Sequence, residues 1–228
     1  PQDVLDLMPQ GWINLHFSSL PDLRGAAPVQ CALLRGDEVV GCSVIRLEAG
    51  LDTGPLAAHA RYEVGPAATS GEVLNYLAAQ GAQMLVEVVD QIAAGEAVWT
   101  PQEVGPGGEA VTLAPKLARE DGFIDFRSSP TATVNRVRAV TPQPGAWTTL
   151  PGGTPMKLRG AQPHGEALEV GVVRPDKTVI LVGTGDGAVA ISEVAPAGKS
   201  WMKAADWWRG ARLDASAKLG QKSGQENG

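Results

Sequence analysis

Apolar and polar positions follow two different spacings in the first 99 residues of the chain. Short apolar runs with the length of strands alternate with segments whose apolar residues recur at helical spacing. The predicted strands cover residues 12–17, 40–47 and 56–64, and the predicted helices cover residues 25–35 and 70–95. The second helix can be capped by Ser70 and stopped by Gly95. Strands that alternate with helices predict an α/β sheet for residues 1–99.

The pattern changes after residue 99. Residues 100–117 keep neither spacing and are rich in glycine, proline and glutamate, which predicts a linker. Two further predicted helices, 129–139 and 200–213, enclose short strands near 146–150, 156–158, 170–173, 179–182 and 188–194. Short strands joined by glycine-rich turns predict a small β-barrel in residues 118–214. Residues 215–228, which are mostly small and polar, are predicted to form a disordered tail.

The composition excludes several classes of protein. The chain has 228 residues, and no apolar run approaches the roughly 20 residues of a membrane-spanning helix. Two cysteines, Cys31 and Cys42, are too few for a disulfide framework and favour the reducing cytoplasm. The three histidines do not cluster with other ligands, so a metal site is not expected. Nothing in the composition indicates an obligate protein partner.

Charge is distributed unevenly along the chain. Residues 118–228 hold 14 basic and 11 acidic side chains, whereas the first 117 residues hold 5 basic and 14 acidic ones. A basic excess in one half is typical of a module that faces a polyanion. An ordinary solvated surface is the simpler explanation of an excess of three charges, so charge alone does not identify a partner.

Three polar side chains lie where a parallel α/β sheet would bind a ligand. Asn14 and His16 end the first strand and point to one face, and Asp52 lies in the loop after the second strand. A carboxylate beside an imidazole can hold its tautomer and stabilise its charged form, and an amide can donate to a developing oxyanion. This trio suits attack by an amine on a carbonyl-like carbon. A structural histidine and a turn-forming aspartate would give the same spacing.

Three sequence motifs narrow the choice. They are Asn-Leu-His-Phe-Ser-Ser-Leu-Pro at 14–21, Arg-Gly-Ala-Ala-Pro-Val-Gln at 24–30 and Gly-Leu-Asp-Thr-Gly at 50–54. Together they resemble the signature of the 10-formyltetrahydrofolate-dependent formyltransferases, and the second motif is similar to the branch that acts on tRNA. The resemblance continues through Pro-Ala-Gly-Lys at 196–199 and Arg-Gly-Ala-Arg-Leu at 209–213, so it spans nearly the whole chain.

The resemblance implies both a fold and a reaction. The fold would be the C-terminal part of a Rossmann-like formyltransferase sheet followed by a small OB-like β-barrel domain that binds tRNA. The co-substrate would be 10-formyltetrahydrofolate, and the acceptor would be the α-amine of methionine on initiator tRNA. Asn14 would bind the formyl oxygen, while His16 and Asp52 would stabilise the tetrahedral intermediate and move protons. The turn formed by Ser18, Ser19, Leu20 and Pro21 would border the folate, and Arg24 and Lys116 would contact tRNA.

Two departures from the family pattern leave alternatives open. Asp22-Leu23 stands where the family commonly has an Arg-Trp pair, which puts the RNA contacts at that position in doubt. The chain also begins at Pro1, shortly before Asn14, so we expect an N-terminally truncated piece that alone transfers almost no formyl group. A sugar-nucleotide formyltransferase would share the Asn-His-Asp trio. A non-catalytic RNA-binding remnant is the alternative from a different class.

Overall fold

The computed structural model describes residues 2–103, 110–214 and 216–221. The chain divides into two compact units, residues 1–116 and residues 117–228. The division therefore falls at the C-terminal end of the predicted linker. No helix in the described ranges has the length and apolar character needed to cross a membrane.

The first unit is a small antiparallel sheet covered by helices. Its elements are α1 (Gln2–Leu5), β1 (Ile13–His16), β2 (Arg24–Gly25), α2 (Pro28–Arg35), β3 (Val39–Arg46), β4 (Leu56–Glu63), α3 (Ser70–Ala94) and β5 (Leu113–Ala114). The main sheet has the order β1-β3-β4, and β3 is buried along most of its length. The predicted strands and helices are confirmed to within a few residues, and so is the mixed α/β class.

The direction of strand pairing differs from the prediction. Both neighbours of β3 run antiparallel to it, and the register places His16 opposite Ser43. The expectation that the carboxyl ends of β1 and β3 meet at one sheet edge is therefore wrong for these strands. Residue spacing reveals where a strand lies, but it carries no information about the direction in which that strand pairs.

The long helix α3 orients the face of β1. Its N-cap is Thr69, which shares a capping box with Glu72, so the predicted cap at Ser70 is wrong by one residue. Gly81 of α3 lies against Leu15, because a Cβ at this position would come within 2.6 Å of the leucine Cδ2. Leu15 therefore faces the helix. Since side chains alternate along a strand, Asn14 and His16 point away from α3 to one common face, as predicted.

Much of the segment predicted as a linker is packed against the first unit. We call residues 100–103 and 110–114 the strap. Thr100 exchanges two backbone hydrogen bonds with Leu56, at 2.7 and 2.8 Å. Strand β5 pairs in parallel with β2, and Gly25 approaches Ala114 so closely that a Cβ would lie 2.6 Å from its carbonyl oxygen. The strap is thus part of the first unit, and residues 104–109 lie outside the described residues.

The second unit is an antiparallel sheet around its own apolar core. Its elements are a 3₁₀ helix (Arg119–Gly122), α4 (Pro130–Ala139), β6 (Trp147–Thr149), β7 (Pro155–His164), β8 (Val173–Pro175), β9 (Ile180–Gly183), β10 (Ala188–Pro196), β11 (Met202–Lys203) and α5 (Ala204–Ala211). Six strands follow the order β6-β7-β10-β9-β8, with β11 on β10. This is the small barrel-like domain expected from the sequence. Within the described residues no ladder joins β6 to β8 to close it.

Two parts of the second unit extend further than their sequence indicates. Strand β7 continues to His164 because it pairs along nearly all of β10, although its second half, Gly-Ala-Gln-Pro-His, lacks alternating apolar side chains. Leu219 is buried in the apolar core and its backbone N–H donates to the Gly171 carbonyl. The prediction of disorder is therefore wrong for residues 216–221, while residues 215 and 222–228 lie outside the described residues.

Candidate active site

The side chain of His16 is buried. One ring nitrogen is hydrogen-bonded to a backbone carbonyl group, and the other faces a carboxylate. Its Nε2 lies 3.0 Å from the Leu23 carbonyl oxygen, and its Nδ1 lies 3.6 Å from Oδ2 of Asp52. A carbonyl oxygen only accepts hydrogen bonds, so Nε2 carries the ring hydrogen. The backbone at Leu23 therefore fixes the tautomer. In the neutral ring, Nδ1 is the nitrogen that can take up a proton.

Asp52 reaches His16 because its loop folds back tightly. Asp52 has a φ of 50°, and its Oδ2 accepts the Gly25 N–H at 2.8 Å. Gly54 packs against the end of β3, where a Cβ would lie only 1.7 Å from the Arg46 carbonyl oxygen. The structure thus brings Asp52 and His16 together as the sequence predicted, but through this loop rather than through parallel strand ends.

Asn14 completes the predicted trio on the same face of β1. It lies two residues before His16 and is partly exposed. Its side-chain amide makes no hydrogen bond to other residues of the described chain. The amide is therefore available to donate to an oxygen that enters the site.

Three of the four residues of the predicted folate-bordering turn are buried, namely Ser18, Leu20 and Pro21, and Ser19 is partly exposed. Ser18 is buried and donates to the Asp22 carbonyl at 2.6 Å, so it stabilises the turn itself. Leu20 is also largely buried, and the peptide bond between it and Pro21 is cis. Ser19, Leu20 and Pro21 line a cavity of about 550 Å³ together with Leu56, His59 and Arg61.

The two predicted RNA contacts have different surroundings. Arg24 is partly buried and its guanidinium donates to the side chain of Gln102 through Nη2 at 2.6 Å and Nε at 3.2 Å. Lys116 is exposed at the end of the first unit and has no hydrogen bond or ion pair to the rest of the described chain. Arg24 is thus held beside the Asp52 loop, whereas Lys116 extends into solvent.

Asp22 has a structural partner that explains an acidic residue at this position. Its carboxylate accepts two hydrogen bonds from Arg35, at 2.6 and 3.0 Å, and one from Thr112. Burial favours the neutral form of Asp22, but the hydrogen bonds from Arg35 and Thr112 outweigh it and lower the pKa of its carboxyl. Thr112 also accepts the Leu23 N–H, so this cluster anchors the residue whose carbonyl holds His16.

Because the pKa of Asp22 is lowered on folding, its contribution to stability is present at neutral pH and is lost as pH falls below about 4. We expect Asp22→Asn to lower the free energy of unfolding by about 1 kcal/mol at pH 7, a small value because Arg35 is partly exposed. The difference from wild type should shrink in urea titrations at pH 3.5. Asp90→Asn on the exposed face of α3 is the control, and a constant difference for Asp22→Asn across this range would contradict the assignment.

Sequence reasoning missed the strap residues that hold this site. Gln102 and Thr112 lie in an aperiodic segment, and their partners are distant along the chain. No local pattern marks such contacts. In the described part of the chain, no group of three or more histidine, cysteine, aspartate or glutamate side chains is arranged to hold a metal ion.

Comparisons with known proteins identify the family of the chain. The family model for formyl transferase matches residues 1–89, and the model for the formyl transferase C-terminal domain matches residues 116–212. The methionyl-tRNA formyltransferase of Arthrobacter sp. (strain FB24) is 47% identical over 214 residues, which are 92% of this chain and 67% of that protein. That of Thermobifida fusca (strain YX) is 44% identical over 222 residues, 96% of this chain and 70% of that protein.

Solved structures share the fold at low sequence identity. HypX from Aquifex aeolicus in complex with tetrahydrofolic acid superposes with a TM-score of 0.68 and 20% identity, over 90% of this chain and 36% of that one. WlaRD, a sugar 3N-formyl transferase, gives a TM-score of 0.63 and 16% identity, over 82% of this chain and 66% of that one. At such identities the likeness shows the fold alone. The fold and the two family models together define a formyl transferase.

The curated relatives specify the branch within that class. They match nearly all of this chain at more than 40% identity and share the name methionyl-tRNA formyltransferase. The chain therefore belongs to the methionyl-tRNA formyltransferase family.

Proposed function

We propose that this protein transfers a formyl group from 10-formyltetrahydrofolate to the α-amine of methionyl-initiator tRNA, in the cytoplasm. The observation that carries the proposal is the close pair of buried His16 and partly buried Asp52, with Asn14 on the same face of β1 as His16. Family membership supports the same reaction. No metal and no covalent enzyme intermediate are needed, because an amine attacks a formyl carbon directly.

Each side chain has a defined role in the proposed reaction. The amine nitrogen forms a bond to the formyl carbon, and the Asn14 amide donates to the oxygen on which negative charge develops. The His16–Asp52 pair accepts the proton that the amine loses, at Nδ1 of His16, and returns it to N10 of the folate as the carbon–N10 bond breaks. The products are formylmethionyl-tRNA and tetrahydrofolate. The turn formed by Ser18, Ser19, Leu20 and Pro21 borders the folate, and Ser19, Leu20 and Pro21 supply part of its cavity wall.

The test is formyl transfer from labelled 10-formyltetrahydrofolate by the intact gene product. Methionyl-initiator tRNA, a methionyl elongator tRNA and a dTDP-amino sugar serve as competing acceptors. We expect label on the initiator tRNA. Label on the sugar nucleotide alone would instead support a sugar-nucleotide formyltransferase, and the absence of transfer to any acceptor would support a non-catalytic RNA-binding protein.

A groove on the second unit favours an RNA acceptor over a sugar nucleotide. It has a volume of about 480 Å³ and lies beside β6, β7 and the turn at 197–201. Its charged lining residues in the described chain are all basic: Arg119, Lys157 and Lys199. Some other basic side chains of this unit are instead paired with acids, as Arg174 is with Glu166. The two groove lysines are exposed and make no ion pair within the described chain, so their charge is available to phosphates.

Aromatic rings lie beside these charges. The Arg119 guanidinium stacks on Trp147 at 4.8 Å from the ring centroid, and Arg159 stacks on Trp201 at 4.3 Å. Trp201 is 40% exposed. Exposed rings beside cations are the composition of surfaces on which nucleotides stack. We therefore assign the basic excess of the second half to tRNA binding, together with Arg24 and Lys116 of the first unit.

We expect the Lys157→Gln, Lys199→Gln double variant to weaken tRNA binding by roughly tenfold at moderate salt. It should also reduce the slope of log K against log salt by about 2, because each phosphate contact contributes about one unit. Filter binding between low and high salt measures both quantities. Lys177→Gln, in the turn between β8 and β9 at the opposite sheet edge, is the control. If the double variant and wild type had equal slopes of log K against log salt, the groove would not be part of the RNA interface.

A further inference from the structure

One side chain of the strap joins the Asp52 loop to Arg24. The Nε2 of Gln102 donates to the carbonyl oxygens of Asp52, at 2.7 Å, and Gly54, at 2.8 Å. Its Oε1 accepts both hydrogen bonds from the guanidinium of Arg24. A carboxamide has two N–H groups and an oxygen with two lone pairs, so all of its hydrogen-bonding capacity is used here.

Gln102 is itself held in place. Two residues earlier, Thr100 is hydrogen-bonded through both backbone groups to Leu56 at the start of β4. The side chain of Gln102 therefore extends from a fixed backbone rather than from a free connection. It can transmit this rigidity to the loop that it contacts.

The Asp52 loop needs such a support. Asp52 has a left-handed backbone conformation, which is unfavourable for a residue with a side chain. The bonds from Gln102 hold the carbonyl groups at Asp52 and Gly54, and they orient the carboxylate toward the Gly25 N–H and His16. A small rotation of these peptide planes would move Oδ2 away from both partners.

Arg24 is connected to the Asp52 loop through its neighbour Gly25 as well as through Gln102. It directly precedes Gly25, whose N–H binds the Asp52 carboxylate. Two of the five guanidinium N–H groups bind Gln102, and the other three make no hydrogen bond within the described chain. A phosphate bound by these three groups would be connected to the Asp52 loop through a single side chain.

We propose that Gln102 is a positioning residue: it holds Asp52 in the geometry that the reaction requires and couples that loop to the phosphate-binding position of Arg24. The proposal rests on the function proposed above. It predicts that loss of the N–H donors of the Gln102 carboxamide and loss of its oxygen acceptor affect kcat and KM differently.

Gln102→Glu separates the two halves with almost no change in size. The carboxylate cannot donate to the two carbonyl oxygens, but it still accepts from Arg24. We expect kcat for formyl transfer to fall at least tenfold, with the KM for methionyl-tRNA within threefold of wild type. Gln102→Leu removes both halves and should change kcat and KM together. Gln80→Glu on the exposed face of α3 introduces the same charge and should leave both unchanged.

A second measurement does not depend on catalysis and therefore distinguishes this proposal from the proposed function. In the 228-residue chain, Gln102→Glu should accelerate hydrogen exchange at the Gly25 amide at least tenfold. Exchange at the Ala26 amide, which binds the Ala114 carbonyl at 2.8 Å, should stay within twofold. Equal acceleration at both amides, or none at Gly25, would overturn the proposal, as would a kcat for Gln102→Glu within twofold of wild type.

Discussion

Replacement of His16 by alanine or of Asp52 by asparagine is expected to lower kcat for formyl transfer by roughly two to four orders of magnitude, the usual contribution of an acid–base group. Alanine removes Nδ1, the nitrogen that faces the carboxylate. Asparagine keeps the size of Asp52 and an oxygen for the Gly25 N–H, but it loses the negative charge beside the ring. The measurement is single-turnover transfer by the intact gene product at saturating 10-formyltetrahydrofolate.

The two variants should not be additive. Because the ring and the carboxylate act on the same proton, the His16→Ala, Asp52→Asn double variant should lose little more than the more severe single variant. His164→Ala and Asp90→Asn, which lie outside the candidate site, should stay within twofold of wild type. Activity within threefold of wild type for both single variants would end the catalytic assignment.

The positions of Asn14, His16 and Asp52 show what the alternation of side chains along a strand can and cannot predict. Alternation along β1 was sufficient to place Asn14 and His16 on one face, since period two is a property of any strand. Asp52 reaches His16 as predicted, but the argument from parallel strands does not hold, because β1 and β3 are antiparallel. The contact depends instead on a loop whose backbone path has no periodic signal.

The residues that hold the site in place could not be predicted from the sequence. Gln102 and Thr112 lie in a segment without helical or strand spacing, and their hydrogen bonds join residues 48 or more positions apart. From the sequence alone Asp22 puts the RNA contacts at its position in doubt, because its partner, Arg35, lies on a different element. Contacts of this kind depend on three-dimensional proximity, which residue types alone do not encode.

In the second unit, too, some buried residues could not be predicted from local sequence patterns. Its short strands are predictable because tight turns separate apolar runs. The end of β7 and the buried Leu219 are not, because the end of β7 lacks alternating apolar residues and Leu219 lies in a mostly polar segment. A single apolar side chain in a polar segment is recognised as core only once the cavity that receives it is known.

The backbone at Gly54 offers a second test of the site that leaves every candidate catalytic side chain in place. A Cβ at this position would lie 1.7 Å from the Arg46 carbonyl oxygen, and a backbone atom at the end of a buried strand cannot move aside as a flexible side chain would. The loop must therefore shift, and Asp52, two residues earlier, must move with it. We expect Gly54→Ala to lower kcat about 100-fold, the effect of misplacing a reacting group by about 1 Å.

Gly65→Ala is the matched control for this substitution. Gly65 lies between β4 and α3, and a Cβ there would meet no atom within 4 Å, so the same added methyl group should leave kcat unchanged. Thermal unfolding of both variants should show a lower midpoint for Gly54→Ala only. The steric origin of the loss can be checked at Arg46, whose N–H donates to the Pro55 carbonyl at 3.0 Å. Its amide should exchange faster in Gly54→Ala, because the displaced loop lengthens that bond. Turnover within fivefold of wild type for Gly54→Ala would mean that the Asp52 loop tolerates displacement, and that the close contact with β3 does not set the position of the carboxylate.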